Sequence, residues 1–443
     1  MNNSRNLTKS HVRKIHTDYQ IKRESKLLTL RKKWIKIAFF LFLGNGASIF
    51  LQLIMVPLLI FSWGGELYGE WIILYTIPGI LSLTDLGIIS SSNNKIDELC
   101  VTGKYLSANK IYFSSLVALF LISVFVILFS VILWMVFERN ITSMFHILEV
   151  NEIRSILFYL ILDSLLIILF NHNTGLYRSI DSFQNTTNWQ TIGRIIPLLI
   201  FCFSAVLFKE IIISVLVMLI SRLLIVFMMI VDLRKKIYWI KKDWLRTNRK
   251  EVKKIFSSSL GFLSLPISNI ITLQLTIILI AMLSNPLMVA TFSALRTFTR
   301  LIPQFVSIVG KSLWSEISKA NALSDFVNLK IMFKKTLLYT LTLSFLLLFG
   351  YLIFGEWFFK LWTNSKLNFN QEIFFALLIQ AVFIGLYTSL EVFILATNNV
   401  NLYAQVFFVI SLLQIIMAWL FLDSFDIAGF PIFGSIGAFL IVL

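Results

Sequence analysis

Twelve stretches of this 443-residue chain are long and apolar enough to cross a bilayer, and no other feature limits its fold so sharply. A hydrocarbon core about 30 Å thick needs about 20 apolar residues of helix. Such segments lie near 35–62, 68–92, 112–137, 153–175, 189–208, 211–231, 257–283, 288–310, 331–354, 373–396, 402–422 and 427–443. Transmembrane β-strands would instead show alternation over about 10 residues; these runs are longer and uniformly apolar. The predicted fold is an all-α integral membrane protein of about twelve transmembrane helices in two six-helix lobes.

With 58% hydrophobic residues, 14% charged ones and a mean hydropathy of +0.84, a water-soluble enzyme is excluded. The excess of 39 Lys and Arg over 23 Asp and Glu sits between the apolar runs, so it reports topology and contact with anionic lipid rather than nucleic acid. About 30 of these cations fall on one side of the predicted bundle and about 5 on the other, which predicts that both termini are cytoplasmic. The basic leader, residues 1–34, is too long and too polar for a signal peptide and is expected to be retained. Cys100 and Cys202 give no disulfide framework, and His11, His16, His146 and His172 are scattered, so neither a metal site nor a cofactor is predicted.

Six spans precede and six follow a basic segment, 232–256, which carries Trp239 and Trp244 among its Lys and Arg residues. It is expected to be an amphipathic cytoplasmic linker lying in the headgroup layer, between an N-terminal lobe at 35–231 and a C-terminal lobe at 257–443. An even number of spans per half makes the halves parallel repeats. Their first spans carry matching polar stripes, Asn45, Ser48 and Gln52 before Pro57, and Ser264, Ser268, Thr272 and Thr276 with Pro266. Such stripes fit either a static helix interface or a polar cavity between the lobes.

From Gly64 the chain reads GGELYGEWIILYTIPGILSLTDLGIISSSNNKI. This resembles the opening of the polysaccharide-biosynthesis membrane proteins, flippases of the multidrug/oligosaccharidyl-lipid/polysaccharide exporter superfamily. The G-x-x-x-Y-G-x-W core is matched by Gly64, Tyr68, Gly69 and Trp71, and the L-x-D-L-G stretch by Leu83, Asp85, Leu86 and Gly87, followed by Asn93 or Asn94. The resemblance implies a MATE-like fold and a bacterial inner-membrane protein. It also implies alternating-access transport of undecaprenyl-diphosphate-linked oligosaccharide, an O-antigen, capsule or exopolysaccharide repeat unit, without catalysis. Family members usually continue past the twelfth span, so a shortened carboxyl end is expected here. The chain has no G-x-x-x-x-G-K-[ST] loop for a nucleotide. Coupling to H⁺ or Na⁺ and contact with a polysaccharide polymerase stay open.

An ionisable residue inside a span is a functional candidate. Ser293, Arg296, Thr297, Arg300 and Gln304 share one helical face, and two guanidiniums four residues apart suit a diphosphate. The competing reading pairs them with carboxylates. Arg222, Arg194, Gln52 and Asn45 complete the candidate substrate-binding set, while Asp163, Glu391 and Asp85 are candidates for ion coupling or gating. Glu391 stands in a stripe with Gln380, Tyr387 and Asn398. Two alternatives remain: a cation-coupled multidrug exporter of the same fold, disfavoured because the four intramembrane arginines outnumber the three acids, and a membrane polymerase or glycosyltransferase, disfavoured by the short outer loops.

Overall fold

The computed structural model describes residues 46–77, 79–81, 87–180, 182–240, 264–397 and 400–442, and no strand occurs among them. Asn45, Asp85, Trp244, Asn398, the leader and most of the linker lie outside the described residues. The helices are α1 (Gly46–Leu81), α2 (Ile88–Val101), α3 (Tyr105–Thr142), α4 (Val150–Gly175), α5 (Phe183–Phe208) and α6 (Ile211–Lys236). In the second half they are α7 (Ser264–Ile270), α8 (Thr276–Leu283), α9 (Pro286–Thr299), α10 (Leu301–Ser312), α11 (Trp314–Ala322), α12 (Phe326–Trp362), α13 (Gln371–Ala396), α14 (Val400–Leu420), α15 (Leu422–Phe425) and α16 (Gly429–Val442).

Nine helices among the described residues are long and apolar enough to cross a membrane. The helical stretch α1 supplies two crossings, because the chain reverses at Gly64, where φ is +81°. That value is open to glycine at little cost. On either side of the reversal the chain touches loops at one end of the bundle. Gly69 lies against Pro286, whereas Gly79, ten residues on, meets Gln274 within the seventh crossing. The seventh crossing is α7 and α8 joined by a π-helical turn, Ile271–Leu275, and the eighth is α9 and α10. Together these give twelve crossings.

Helices reach further than the apolar runs. The third crossing extends to Tyr105–Thr142 and the ninth to Phe326–Trp362, so α2 and α3 are joined by only three residues. Side-chain caps fix several starts: Asn285 accepts from the Met288 amide, with Pro286 as the first helical residue of α9, and Asn370 accepts from the Ile373 amide. The linker departs from expectation at its start. Asp232–Lys236 continue α6, and Asp232 accepts from the Tyr177 hydroxyl at 2.6 Å, the Trp189 indole at 3.2 Å and Lys236 at 3.0 Å. Trp239 is buried in the N-terminal lobe instead of lying in the headgroup layer. Three donors on one carboxylate outweigh the gain from laying those residues on a membrane surface.

Two groups of helices pack among themselves, α2 to α6 in one and α7 to α16 in the other. The reversal in α1 joins them. On the N-terminal side, Glu70 is fully buried and its carboxylate accepts from the amides of His146, Ile147 and Leu148, while Trp71 stacks on Phe201 with centroids 4.5 Å apart. On the C-terminal side, the Trp362 indole donates to Leu53 O at 2.8 Å, and Lys366 lies 3.4 Å from the carbonyls of Ile60 and Phe61. The glycine-aromatic motif is thus the knot that ties both groups at one end of the bundle.

Candidate functional site

A cavity of about 330 Å³ lies inside the C-terminal group, bounded by the seventh, eighth, tenth, eleventh and twelfth crossings. It runs from Thr276, Phe292 and Phe430 at mid-bundle to Lys311, Glu391 and Ile441 at the end opposite the knot. Polar cavities at membrane depth are built where helices are interrupted, because freed backbone groups there meet protein or water and not lipid. Two such interruptions line this one. The π turn Ile271–Leu275 leaves carbonyls without their usual partners, and Arg296 Nη1 donates to Leu273 O at 2.9 Å. The second break is at Arg300, between α9 and α10. Pro303 has no amide hydrogen and its ring crowds the carbonyl four residues earlier.

The cavity wall corrects the expected stripe. Arg296, Arg300 and Gln304 line the cavity, whereas Ser293 and Thr297 do not. Pro303, Ser307 and Lys311 line it as well, carrying the same face to the end of the crossing. Ser293 is buried, and its hydroxyl has no hydrogen-bond partner among the described residues. The cavity also lies within one lobe rather than between two. In the seventh crossing Thr272 and Thr276 line it, yet Ser268, Thr272 and Thr276 each donate to the carbonyl four residues back, which satisfies the stripe inside its own helix.

The cationic groups fall into two kinds. Arg296 has one protein acceptor and lies over the Phe292 ring, 5.6 Å from its centroid. Arg300 lines the cavity and has no carboxylate within ion-pair distance among the described residues. Arg222, expected to bind substrate, instead donates its Nε–H to Asp163 and its Nη1–H to Gly193 O at 2.7 Å, deep in the N-terminal group. Its charge is spent on a buried pair, which accounts for both residues at once. Arg194 is exposed on α5, away from the cavity. Gln52 accepts from Gln304 Nε2 at 3.3 Å, so the first crossing touches the cavity wall through one amide.

Glu391 lines the cavity, with Tyr403 hydrogen-bonded to it and Lys311 facing it. Lys311 escaped the sequence reading because the charge count assigned it to a loop. Extending the 296, 300, 304 spacing by seven residues reaches it, and α10 continues to Ser312. Gln414, on α14, also lines the cavity and donates to Thr272 Oγ1 at 2.9 Å; an isolated amide in a greasy run gave no signal.

A profile of the family described as polysaccharide biosynthesis protein matches residues 35–314. No curated protein sequence matches the chain. Solved structures share its fold. The lipid II flippase MurJ in an inward closed conformation aligns with a TM-score of 0.66 at 16% identity, covering 92% of this chain and 86% of that one. The inward-facing conformation of a multidrug resistance MATE family transporter of the MOP superfamily gives 0.64 at 15% identity, covering 90% and 91%. A MOP superfamily transporter from Pyrococcus furiosus, described by a reverse polarity of its binding pocket, gives 0.61 at 13% identity, covering 92% of each chain. These similarities establish a multi-pass membrane protein with the fold of flippases and multidrug transporters.

Proposed function

Because the chain belongs to the polysaccharide biosynthesis protein family, we propose that its C-terminal cavity receives the diphosphate of an undecaprenyl-diphosphate-linked oligosaccharide, which the protein carries across the bacterial cytoplasmic membrane by alternating access. One observation carries this reading: among the described residues, Arg296, Arg300 and Lys311 line a cavity in the membrane against a single lining carboxylate, Glu391. A buried charge without a partner is costly. An anionic ligand offsets that cost, and a planar guanidinium fork suits phosphate oxygens.

Sidedness supports the same direction of loading. We take the Lys311 end as the cavity's mouth, on the side that the distribution of basic residues predicts to be cytoplasmic, while Gly69 packs against Pro286 toward the other end. A cationic drug is a poor match for a wall with three cations. The protein's own role is translocation, and no bond in the cargo needs to change.

The test is outer-leaflet appearance of lipid-linked glycan. Arg296→Ala with Arg300→Ala should abolish it while the protein still inserts, and Lys at both positions should restore part of it, since charge is kept and the fork is lost. Wild-type export from the double Ala variant would refute the reading.

A further inference from the structure

The cavity has a second wall of different chemistry, and the twelfth crossing shapes it. Gln380 on α13 and Gln414 on α14 both line the cavity, and each is seated against a glycine of α16. A Cβ at Gly434 would fall 2.0 Å from Gln380 Nε2, and one at Gly437 would fall 3.0 Å from Gln414 Oε1. Both glycines are buried and three residues apart, so they share a face of α16. They leave room for two amides where any larger residue would displace them.

The hydrogen-bonding capacity left at this wall is definite. Gln414 uses its amide hydrogen on Thr272, and Thr272 in turn donates to Ser268 O. The Gln414 carbonyl therefore remains as an acceptor facing the Gly437 seat. Gln380 keeps both a donor and an acceptor, having no hydrogen-bond partner among the described residues. The lining cations come from the eighth crossing, and the charge that α13 itself brings beside Gln380 is negative, the carboxylate of Glu391.

Resting on the reading of the arginines as a diphosphate site, we infer that the Gln380–Gln414 wall is a subsite for the first sugar attached to that diphosphate, and that it selects an uncharged sugar. A primary amide is donor and acceptor together, as is a sugar hydroxyl. A site built from neutral amides gives an anionic sugar nothing in return for its desolvation.

The experiment measures binding of three probes to the full chain in nanodiscs: undecaprenyl diphosphate, the same lipid bearing one N-acetylglucosamine, and the same lipid bearing one glucuronic acid. In the wild type the N-acetylglucosamine form should bind about 3- to 10-fold more tightly than the bare lipid, the range of one neutral hydrogen bond, and the glucuronic acid form should not. Gln380→Ala and Gln414→Ala should remove that gain, so that the bare and the N-acetylglucosamine-bearing lipid bind alike. Gly434→Ala should act like Gln380→Ala, because it moves the end of that flexible side chain while keeping every polar group. Arg300→Ala should weaken all three probes. No gain from the sugar in the wild type, tighter binding of the glucuronic acid form, or equal weakening of bare and sugar-bearing lipid by the Gln variants would overturn the subsite while leaving the diphosphate site standing. Failure of the bare lipid to bind the wild type would remove the diphosphate site and the subsite with it.

Discussion

Arg222 and Asp163 form an ion pair in which both side chains are less than a tenth exposed, at 8% and 6%. Removing one partner strands a charge in the bundle. Arg222→Ala should therefore destabilise the folded protein by about 3–5 kcal/mol, whereas replacing both residues with Leu should be far milder. Thermal unfolding of the solubilised variants distinguishes this from a coupling role for Asp163. Asp163→Asn with normal stability and no transport would assign it to ion handling; lost stability in both single variants would assign it to structure.

Glu70 gives a second prediction. Its carboxylate holds three consecutive backbone amides in the loop before α4. Glu70→Gln keeps the shape but loses the charge assistance and brings an extra donor to a site of donors. A loss of about 1.5–3 kcal/mol is expected, read as a lower unfolding midpoint with Arg296 and Arg300 untouched. An unchanged midpoint would mean that the loop finds other acceptors.

Gly69 predicts a more severe outcome. A Cβ there would lie 1.8 Å from the Pro286 carbonyl oxygen, and backbone cannot step aside as a side-chain tip can. Gly69→Ala should force the second and eighth crossings apart or cost at least about 1–3 kcal/mol. Spin labels on Glu66 and Ser284, each within three residues of the contact, would report the separation; an unshifted distance in a fully stable variant would contradict the close approach.

Topology is tested by reporter fusions. Those at Lys95, Lys241 and Leu329 should read cytoplasmic, and those at Asn140 and Asn364 should read external. A single inverted site would undo the assignment of the cavity's mouth to the cytoplasmic side.

The apolar runs made the crossings legible because a bilayer demands one element of nearly fixed length, and Lys209–Glu210 is the connection between α5 and α6 that the hydropathy places there. Polar extensions such as α2 were hidden, since nothing in hydropathy separates a helix that leaves the membrane from a loop. Arg296 and Arg300 could be found as an expensive stripe. Their neighbours could not, because the same face leaves Ser293 and Thr297 outside the wall and runs on past Gln304 to Ser307 and Lys311, where the charge count had placed a loop. The fate of Arg222 was beyond reach for a related reason: a partner 59 residues away has no periodicity to announce it.

The two grips of α1 differ in strength, and that difference decides which half α1 travels with. Toward the N-terminal group it is held by a buried carboxylate on three amides and by a stacked indole. Toward the other group its hydrogen bonds among the described residues include Gln52 at 3.3 Å and Lys366 at 3.4 Å, near the limit of hydrogen bonding, with the Trp362 indole at 2.8 Å the firmest of these. The second crossing, which carries Glu70 and Trp71, is therefore expected to travel with the N-terminal half. When the knotted end opens, the tear is expected to run between α1 and the Trp362–Lys366 loop, and Trp362 is the latch that sets how much force the tear requires.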